Sequence, residues 1–173
     1  MNDLSKDLLD KIKNLYEQKK FSKLETTIEN IKNFEGLPTN LQMIYAVSKA
    51  LNPNSKIQDY KKSAFFFEKI FLSDQTNLEP LYNFIIVSLK ANMHLRLNNL
   101  LEEVYKKHET DLKILEGLSK ANFFLGNMIR ATSYYEKLSN LTPNSSNNWT
   151  KFLGSINYHQ NLQQDQYLNY CKK

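Results

Sequence analysis

The feature that most constrains the fold is a two-helix pattern spanning residues 112–145. Small and large apolar residues recur there at helical spacing, on one face of each predicted helix: Leu115, Leu118, Ala131, Tyr135 and Leu138. Gly126 breaks the first helix, and Pro143 ends the second. One such helix pair cannot bury its own apolar face, so the pattern predicts neighbouring pairs built in the same way. We expect Tyr135 and Leu138 to be buried between this pair and its neighbours.

The order of residues in this segment resembles the tetratricopeptide (TPR) repeat. That repeat is about 34 residues long and shows leucine with glycine and tyrosine, then alanine and an aromatic, then a closing proline. The likeness is strongest over residues 112–145. It implies an all-α fold, a right-handed α-solenoid of antiparallel helix pairs without strands.

The same frame divides the chain into a single array of five units. Their approximate bounds are residues 5–38, 39–77, 78–111, 112–145 and 146–173, which gives about ten helices. The second unit needs an insertion of about five residues, which we place in the loop 52–58. Pro53 and its asparagine neighbours predict that this loop is exposed and mobile. The last unit is degenerate, as is typical of a helix that caps a solenoid.

The basic charge does not indicate a nucleic-acid-binding protein. The formal net charge is +5, but only Arg96 and Arg130 are arginines. Arginine makes the bidentate contacts to phosphates and bases that dedicated nucleic-acid readers use, whereas lysine is a point charge. Nucleic acid is therefore an improbable partner of this chain.

The sequence favours a cytoplasmic protein. No apolar run approaches the length of about 18 residues that a membrane span requires, and the first residues lack the apolar core of a signal peptide. Cys171 is the one cysteine of the chain, which fits a reducing compartment.

No set of residues predicts an active site. His94, His108 and His159 lack metal-ligand spacing, and the four glycines form no phosphate-binding loop. Cys171 lies too near the chain end to be held as a nucleophile. We therefore expect no enzymatic activity, no cofactor and no metal.

The TPR resemblance implies that the first helix of each pair lines a concave groove. Offsets carried over from the family give ten groove-binding candidates: Lys13, Tyr16, Gln42, Lys49, Tyr82, Ile86, Lys113, Glu116, Lys120 and Phe123. Lysines beside tyrosine and phenylalanine suit an extended protein or peptide segment with acidic and apolar side chains. The resemblance thus implies a protein-interaction scaffold or adaptor.

Two alternatives concern the same array. A TPR subclass grips the C-terminal carboxylate of a peptide with Lys and Asn, but Leu9 and Lys13 stand where that pair is needed, which disfavours such a clamp. The array also resembles the N-terminal region of larger bacterial enzymes such as sulfotransferases or glycosyltransferases. A part of such an enzyme therefore remains the alternative to an adaptor.

Overall fold

The computed structural model describes residues 5–32 and 36–158, and this part of the chain contains nine α-helices and no strand. The helices are α1 Lys6–Glu17, α2 Phe21–Glu29, α3 Thr39–Leu51, α4 Ile57–Ser73, α5 Glu79–Lys90, α6 His94–Tyr105, α7 Leu112–Phe124, α8 Met128–Leu141 and α9 Ser146–Ile156. The predicted tenth helix, residues 162–173, which includes Cys171, lies outside the described residues. The all-α prediction is confirmed for the residues described.

The chain forms two compact units, Met1–Asn92 and Met93–Lys173, called here the N-terminal and C-terminal units. Within each unit, every helix packs on the next one in sequence, from α1 to α5 in the first and from α6 to α9 in the second. Such nearest-neighbour packing is the hallmark of repeat proteins. It confirms, inside each unit, the prediction that helices pack on their sequence neighbours.

Three turns between consecutive helices use the same backbone conformation. Lys19, Asn92 and Gly126 have φ values of 54°, 57° and 78°, in the left-handed region that commonly ends a helix. Asn92 and Gly126 lie 34 residues apart (126 − 92), and Lys19 precedes Asn92 by 73, which is 34 + 34 + 5. The turn geometry therefore repeats with the predicted period and the predicted five-residue insertion.

Capping side chains fix where several of the first helices begin. Ser5 accepts a hydrogen bond from the Leu8 N–H at the start of α1 (3.3 Å). Asp111 accepts two at the start of α7, from Lys113 (2.9 Å) and Ile114 (3.0 Å). These acceptors satisfy N–H groups that have no partner inside the helix.

The buried side chains follow the predicted register. Tyr135 and Leu138 are buried, as predicted, and so are Leu118 and Ala131. Of the three consecutive phenylalanines of α4, Phe66 and Phe67 are buried and Phe65 is exposed. Consecutive residues on a helix point about 100° apart, so one of the three had to leave the core.

The inserted loop is shorter and better anchored than predicted, because α4 begins at Ile57 and only residues 52–56 lie between the helices. Pro53 and Asn54 are exposed, as expected. Asn52 is buried, and its Nδ2 donates to Glu25 Oε1 (2.9 Å) and to Ser22 Oγ (3.2 Å) on α2. The expectation of a wholly exposed loop is therefore wrong at Asn52, because its amide completes the hydrogen bonding of a buried carboxylate.

Candidate functional site

Each of the five first helices, α1, α3, α5, α7 and α9, carries a stripe of exposed or half-buried side chains. Its members recur at i, i+4 and i+7, and they keep the repeat spacing from helix to helix. They are Leu9, Lys13 and Tyr16; Met43, Val47 and Ala50; Tyr82, Ile86 and Leu89; Glu116, Lys120 and Phe123; and Thr150, Gly154 and Asn157, which follows α9 directly. We call this set the first-helix stripe.

Seven of the ten groove candidates lie on this stripe. They are Lys13, Tyr16, Tyr82, Ile86, Glu116, Lys120 and Phe123. An eighth, Lys113, is exposed one turn before Glu116 on α7. Whether these residues contact a partner stays a prediction, but their side chains reach the surface.

Gln42 and Lys49, the two candidates on α3, point away from the stripe. Both are buried, and Gln42 Nε2 donates a hydrogen bond to the Leu37 carbonyl. Each lies one position before a stripe residue, Met43 or Ala50, and one position on a helix is a rotation of about 100°. The predicted exposure of Gln42 and Lys49 is therefore wrong, because the offset used on α3 was off by one residue.

Lys49 instead occupies the centre of a buried ion cluster in the N-terminal unit. Its Nζ lies 2.8 Å from Glu25, 3.4 Å from Glu29 and 3.2 Å from Asp59, and only 8% of its side chain is exposed. Tyr45 donates its hydroxyl hydrogen to Glu29 as well. The cluster joins α2, α3 and α4, and we call it the Lys49 cluster.

The electrostatics of the Lys49 cluster keep Lys49 and Asp59 charged and Tyr45 neutral. Burial lowers the pKa of Lys49, but hydrogen bonds to Glu25 and Asp59 outweigh it and raise the pKa above its usual value. The pKa of Asp59 is lowered, first by the hydrogen bond that its carboxylate accepts from the Lys56 N–H (3.0 Å) and then by Lys49. Burial and the hydrogen bond to Glu29 raise the pKa of Tyr45. Because every charge has a partner, the cluster is built to hold helices together.

In the C-terminal unit, α7 and α9 present a basic face to solvent. Lys120 and Lys151 both approach Glu116 Oε1, at 2.8 and 3.2 Å, so that one carboxylate joins the two helices. Burial opposes ionisation of Glu116, but the hydrogen bonds from these two lysines prevail and lower its pKa. With Lys113, the two helices carry three lysines against one glutamate.

Aromatic rings lie at one end of the same face. Phe123 is half-buried and packs against a core that includes Tyr135 and Phe152. Its ring meets those of Phe124 and Tyr158 edge to face, with centroids 5.8 and 6.1 Å apart. Phe124 and Tyr158 are mostly exposed, so this end offers apolar surface beside the lysines.

Gly154 leaves a bare patch between the lysines and the aromatic rings. It lies on α9 one turn after Lys151 and one turn before Tyr158, and a Cβ built on it meets no heavy atom of residues 5–32 and 36–158 within 4 Å. A main chain can approach a helix closely where no side chain intervenes. We call the surface formed by Lys113, Glu116, Lys120, Phe123, Lys151, Gly154 and Tyr158 the α7–α9 face.

Sequence reasoning missed three members of the α7–α9 face, namely Lys151, Gly154 and Tyr158. The signal for Gly154 was available, since it lies 34 residues after Lys120, and Lys151 is one turn before it. The degenerate composition of the last unit obscured this register.

Across residues 5–32 and 36–158, no group of three or more His, Cys, Asp or Glu side chains is placed to hold a metal ion. Among the same residues, no helix combines the length and the apolar character that crossing a bilayer demands.

Within each unit, helices of similar length pack on their neighbours in sequence, and this defines the class: an all-α fold of the TPR-like kind. Solved structures of MamA share it. MamA from Desulfovibrio magneticus RS-1 matches with a TM-score of 0.72 and 13% sequence identity, over 99% of this chain and 92% of that chain. A double mutant of the RS-1 protein gives 0.73 and 13% over 99% and 93%, and MamA from AMB-1 gives 0.69 and 12% over 94% and 85%.

At these identities the likeness concerns the fold alone. No protein-family model matches the sequence, and no curated protein sequence matches it either.

Proposed function

We propose that this protein is an interaction scaffold that binds an extended segment of a partner protein, with the α7–α9 face as the principal contact. The observation that carries the proposal is the composition of that face. Lysines, aromatic rings and a bare glycine lie within a few turns of each other and reach solvent. The single cysteine in 173 residues supports a cytoplasmic setting.

The chemistry of the face selects an acidic segment with at least one large apolar side chain. Lys113, Lys120 and Lys151 attract carboxylates, and Glu116 is the one acidic residue within α7 and α9. Phe123 and Tyr158 provide apolar anchoring, since buried aromatic side chains carry much of the binding energy in protein interfaces. Gly154 gives the main chain of the segment room between the two groups.

The N-terminal unit offers a different surface to the same kind of partner. On α5, Ile86 is exposed and Tyr82 half-buried, and on α3 the stripe is made of Met43, Val47 and Ala50. These stripes are apolar where the α7–α9 face is charged. We propose that they form a separate apolar surface for protein segments within the N-terminal unit.

The test begins with a partner recovered from the native lysate on the full chain. Its affinity is then measured for a variant that combines Lys120→Glu with Gly154→Trp, which reverses one charge and fills the bare patch. We expect a loss of tenfold or more, which is about 1.4 kcal/mol. Added salt should weaken wild-type binding without abolishing it, because the charges are screened and the aromatic anchors are not.

Lys107→Glu serves as the matched control, since it makes the same charge change at an exposed site two residues after α6 ends. Circular dichroism verifies that both variants keep their helical content. Equal binding by the double variant and the control would refute the α7–α9 face as the site. Tyr82→Ala separately tests the stripe on α5, where we expect a smaller loss.

A further inference from the structure

A second surface, in the N-terminal unit, combines basic and aromatic residues in a different way. The outer side of α4 borders a cavity of about 640 Å³ that also reaches α2 and α3. Lys61, Lys62, Phe65 and Lys69 line it from α4, all of them exposed, and the buried Phe66 forms part of its floor. We call this cavity the α4 pocket. Its volume lies within the range of roughly 300–1,000 Å³ that is typical of ligand sites.

The spacing of these residues on α4 places the charges around the apolar group. Lys61, Phe65 and Lys69 follow at i, i+4 and i+8 and therefore share one side of the helix. Phe65 has 53% of its surface exposed, and its ring meets that of Phe66 edge to face at 5.5 Å. A large exposed ring that continues a buried aromatic floor is a typical anchor point for an apolar side chain.

The carboxylate that lines the α4 pocket is already compensated from behind. Glu29 accepts a hydrogen bond from the Tyr45 hydroxyl and lies 3.4 Å from Lys49 Nζ. The Lys49 cluster thus offsets the negative charge of Glu29, while Lys61 and Lys62 are exposed at the rim. The pocket is positive at its rim and apolar in its floor.

We propose that the α4 pocket is a second binding site, which takes an acidic protein segment and inserts one large apolar side chain of that segment between α2, α3 and α4. Charge at the rim and aromatic carbon in the floor match a ligand that is negative outside and apolar at its centre. A nucleic acid fits less well. Its phosphates could contact the lysines, but its bases would find no bidentate hydrogen-bond donors. The site belongs to the second helix of its pair, whereas the proposed function rests on first helices.

Fluorescence anisotropy with a labelled short peptide of Asp and Glu residues around one central Trp tests the proposal on the full chain. We expect saturable binding that weakens about tenfold when Lys61→Ala and Lys62→Ala are combined. Phe65→Ala should weaken it by a similar factor, and so should replacing the central Trp of the peptide with Ala.

Two controls separate this site from general charge and from the α7–α9 face. Lys106→Ala with Lys107→Ala removes the same charge from another exposed lysine pair and should leave the affinity unchanged. All affinities are measured in a Gly154→Trp background, which blocks the α7–α9 face as a second site for the same peptide, so that failure of one proposal does not entail failure of the other. Circular dichroism of each variant verifies the fold. If Phe65→Ala loses helical content, the affinities of the Lys61→Ala, Lys62→Ala variant and of the Ala peptide test the proposal instead.

Absence of saturable binding would overturn the proposal, as would equal losses in the two lysine-pair variants. So would equal affinity for the Trp and Ala peptides. A single-stranded oligonucleotide or anionic lipid vesicles that bind more tightly than the peptide, with the same dependence on Lys61 and Lys62, would instead assign the pocket to nucleic acid or membrane and overturn the protein ligand.

Discussion

Lys49 on α3 and Lys120 on α7 were expected to play the same part, as groove cations on first helices, and the two units use them in opposite ways. Lys49 is buried and contacts three carboxylates. Lys120 has 35% of its side chain exposed and contacts one carboxylate within its own helix. The first lysine joins helices inside the N-terminal unit, and the second remains at the surface of the C-terminal unit.

The difference shows that the position of a lysine on the helix surface decides its role more than its place in the repeat. Lys120 belongs to the first-helix stripe, while Lys49 lies one residue before it and faces α2 and α4. A rotation of about 100° separates a residue available to a partner from one that stabilises the fold. Substituting each lysine in turn should therefore give opposite phenotypes.

Lys49→Met should produce the largest loss of stability. It leaves the buried Glu25 without its cation, and removing one member of a buried ion pair costs about 3–5 kcal/mol. Lys120→Met removes an exposed pair and should change the free energy of unfolding by less than about 1 kcal/mol. Urea denaturation of both variants measures the difference, and equal losses would remove the distinction between the two lysines.

Leu138→Ala should show that apolar packing stabilises the described part of the C-terminal unit. Leu138 is buried on α8, so truncation loses apolar contact and leaves a cavity, at a cost of about 2–5 kcal/mol. The exposed Leu141 of the same helix provides the matched control, since Leu141→Ala creates no cavity. A thermal melt that Leu138→Ala leaves unchanged would contradict the register assigned to α8.

The sequence was sufficient for the helices and their core, and insufficient for the Lys49 cluster. Periodic apolar residues predict a buried stripe because burial depends on local spacing, as Leu118 and Leu138 show. The pairing of Glu25 with Lys49 bridges 24 positions and leaves no local pattern. The stripe on α3 could have been predicted from the repeat, because Met43 lies 39 residues before Tyr82, which is one period of 34 plus the five-residue insertion. The hydrogen bonds that anchor Asn52 could not have been predicted in this way.

Acid should weaken the N-terminal unit through Asp59, whose carboxylate accepts a hydrogen bond from the Lys56 N–H and contacts Lys49. Because the folded-state pKa of Asp59 lies below the unfolded value of about 3.9, its contribution to stability is complete above about pH 5 and disappears as the pH falls through the folded pKa.

Lys49 affects stability on the alkaline side. Its raised pKa gives stability below the unfolded value of about 10.4, and that stability is lost as the pH rises through the folded pKa.

Urea denaturation between pH 6 and pH 3 compares the wild type with Asp59→Asn, which should lose less stability over that interval. Asp10→Asn removes an exposed carboxylate from α1 and should retain the wild-type slope. A wild-type slope in Asp59→Asn would show that Asp59 is not coupled to folding.

Gly154→Ala should have the smallest effect, a gain of about 0.5–1 kcal/mol. Alanine restricts the unfolded chain more than glycine does, and the added Cβ meets nothing on α9. The gain requires that the α7–α9 face is open at this position. A loss of stability in a thermal melt would mean that another part of the protein occupies the bare patch.

Site-specific photocrosslinking tests most directly the central claim that a partner segment lies along the α7–α9 face. A benzophenone amino acid is placed at Thr150, on the stripe one turn before Gly154. In a second preparation it is placed at Lys107, an exposed residue two positions after α6 ends. After irradiation in the native lysate, we predict that a partner is crosslinked from position 150 and not from position 107, and that added Lys120→Glu, Gly154→Trp protein fails to compete for it. A partner crosslinked only from position 107, or from neither position, would contradict the account.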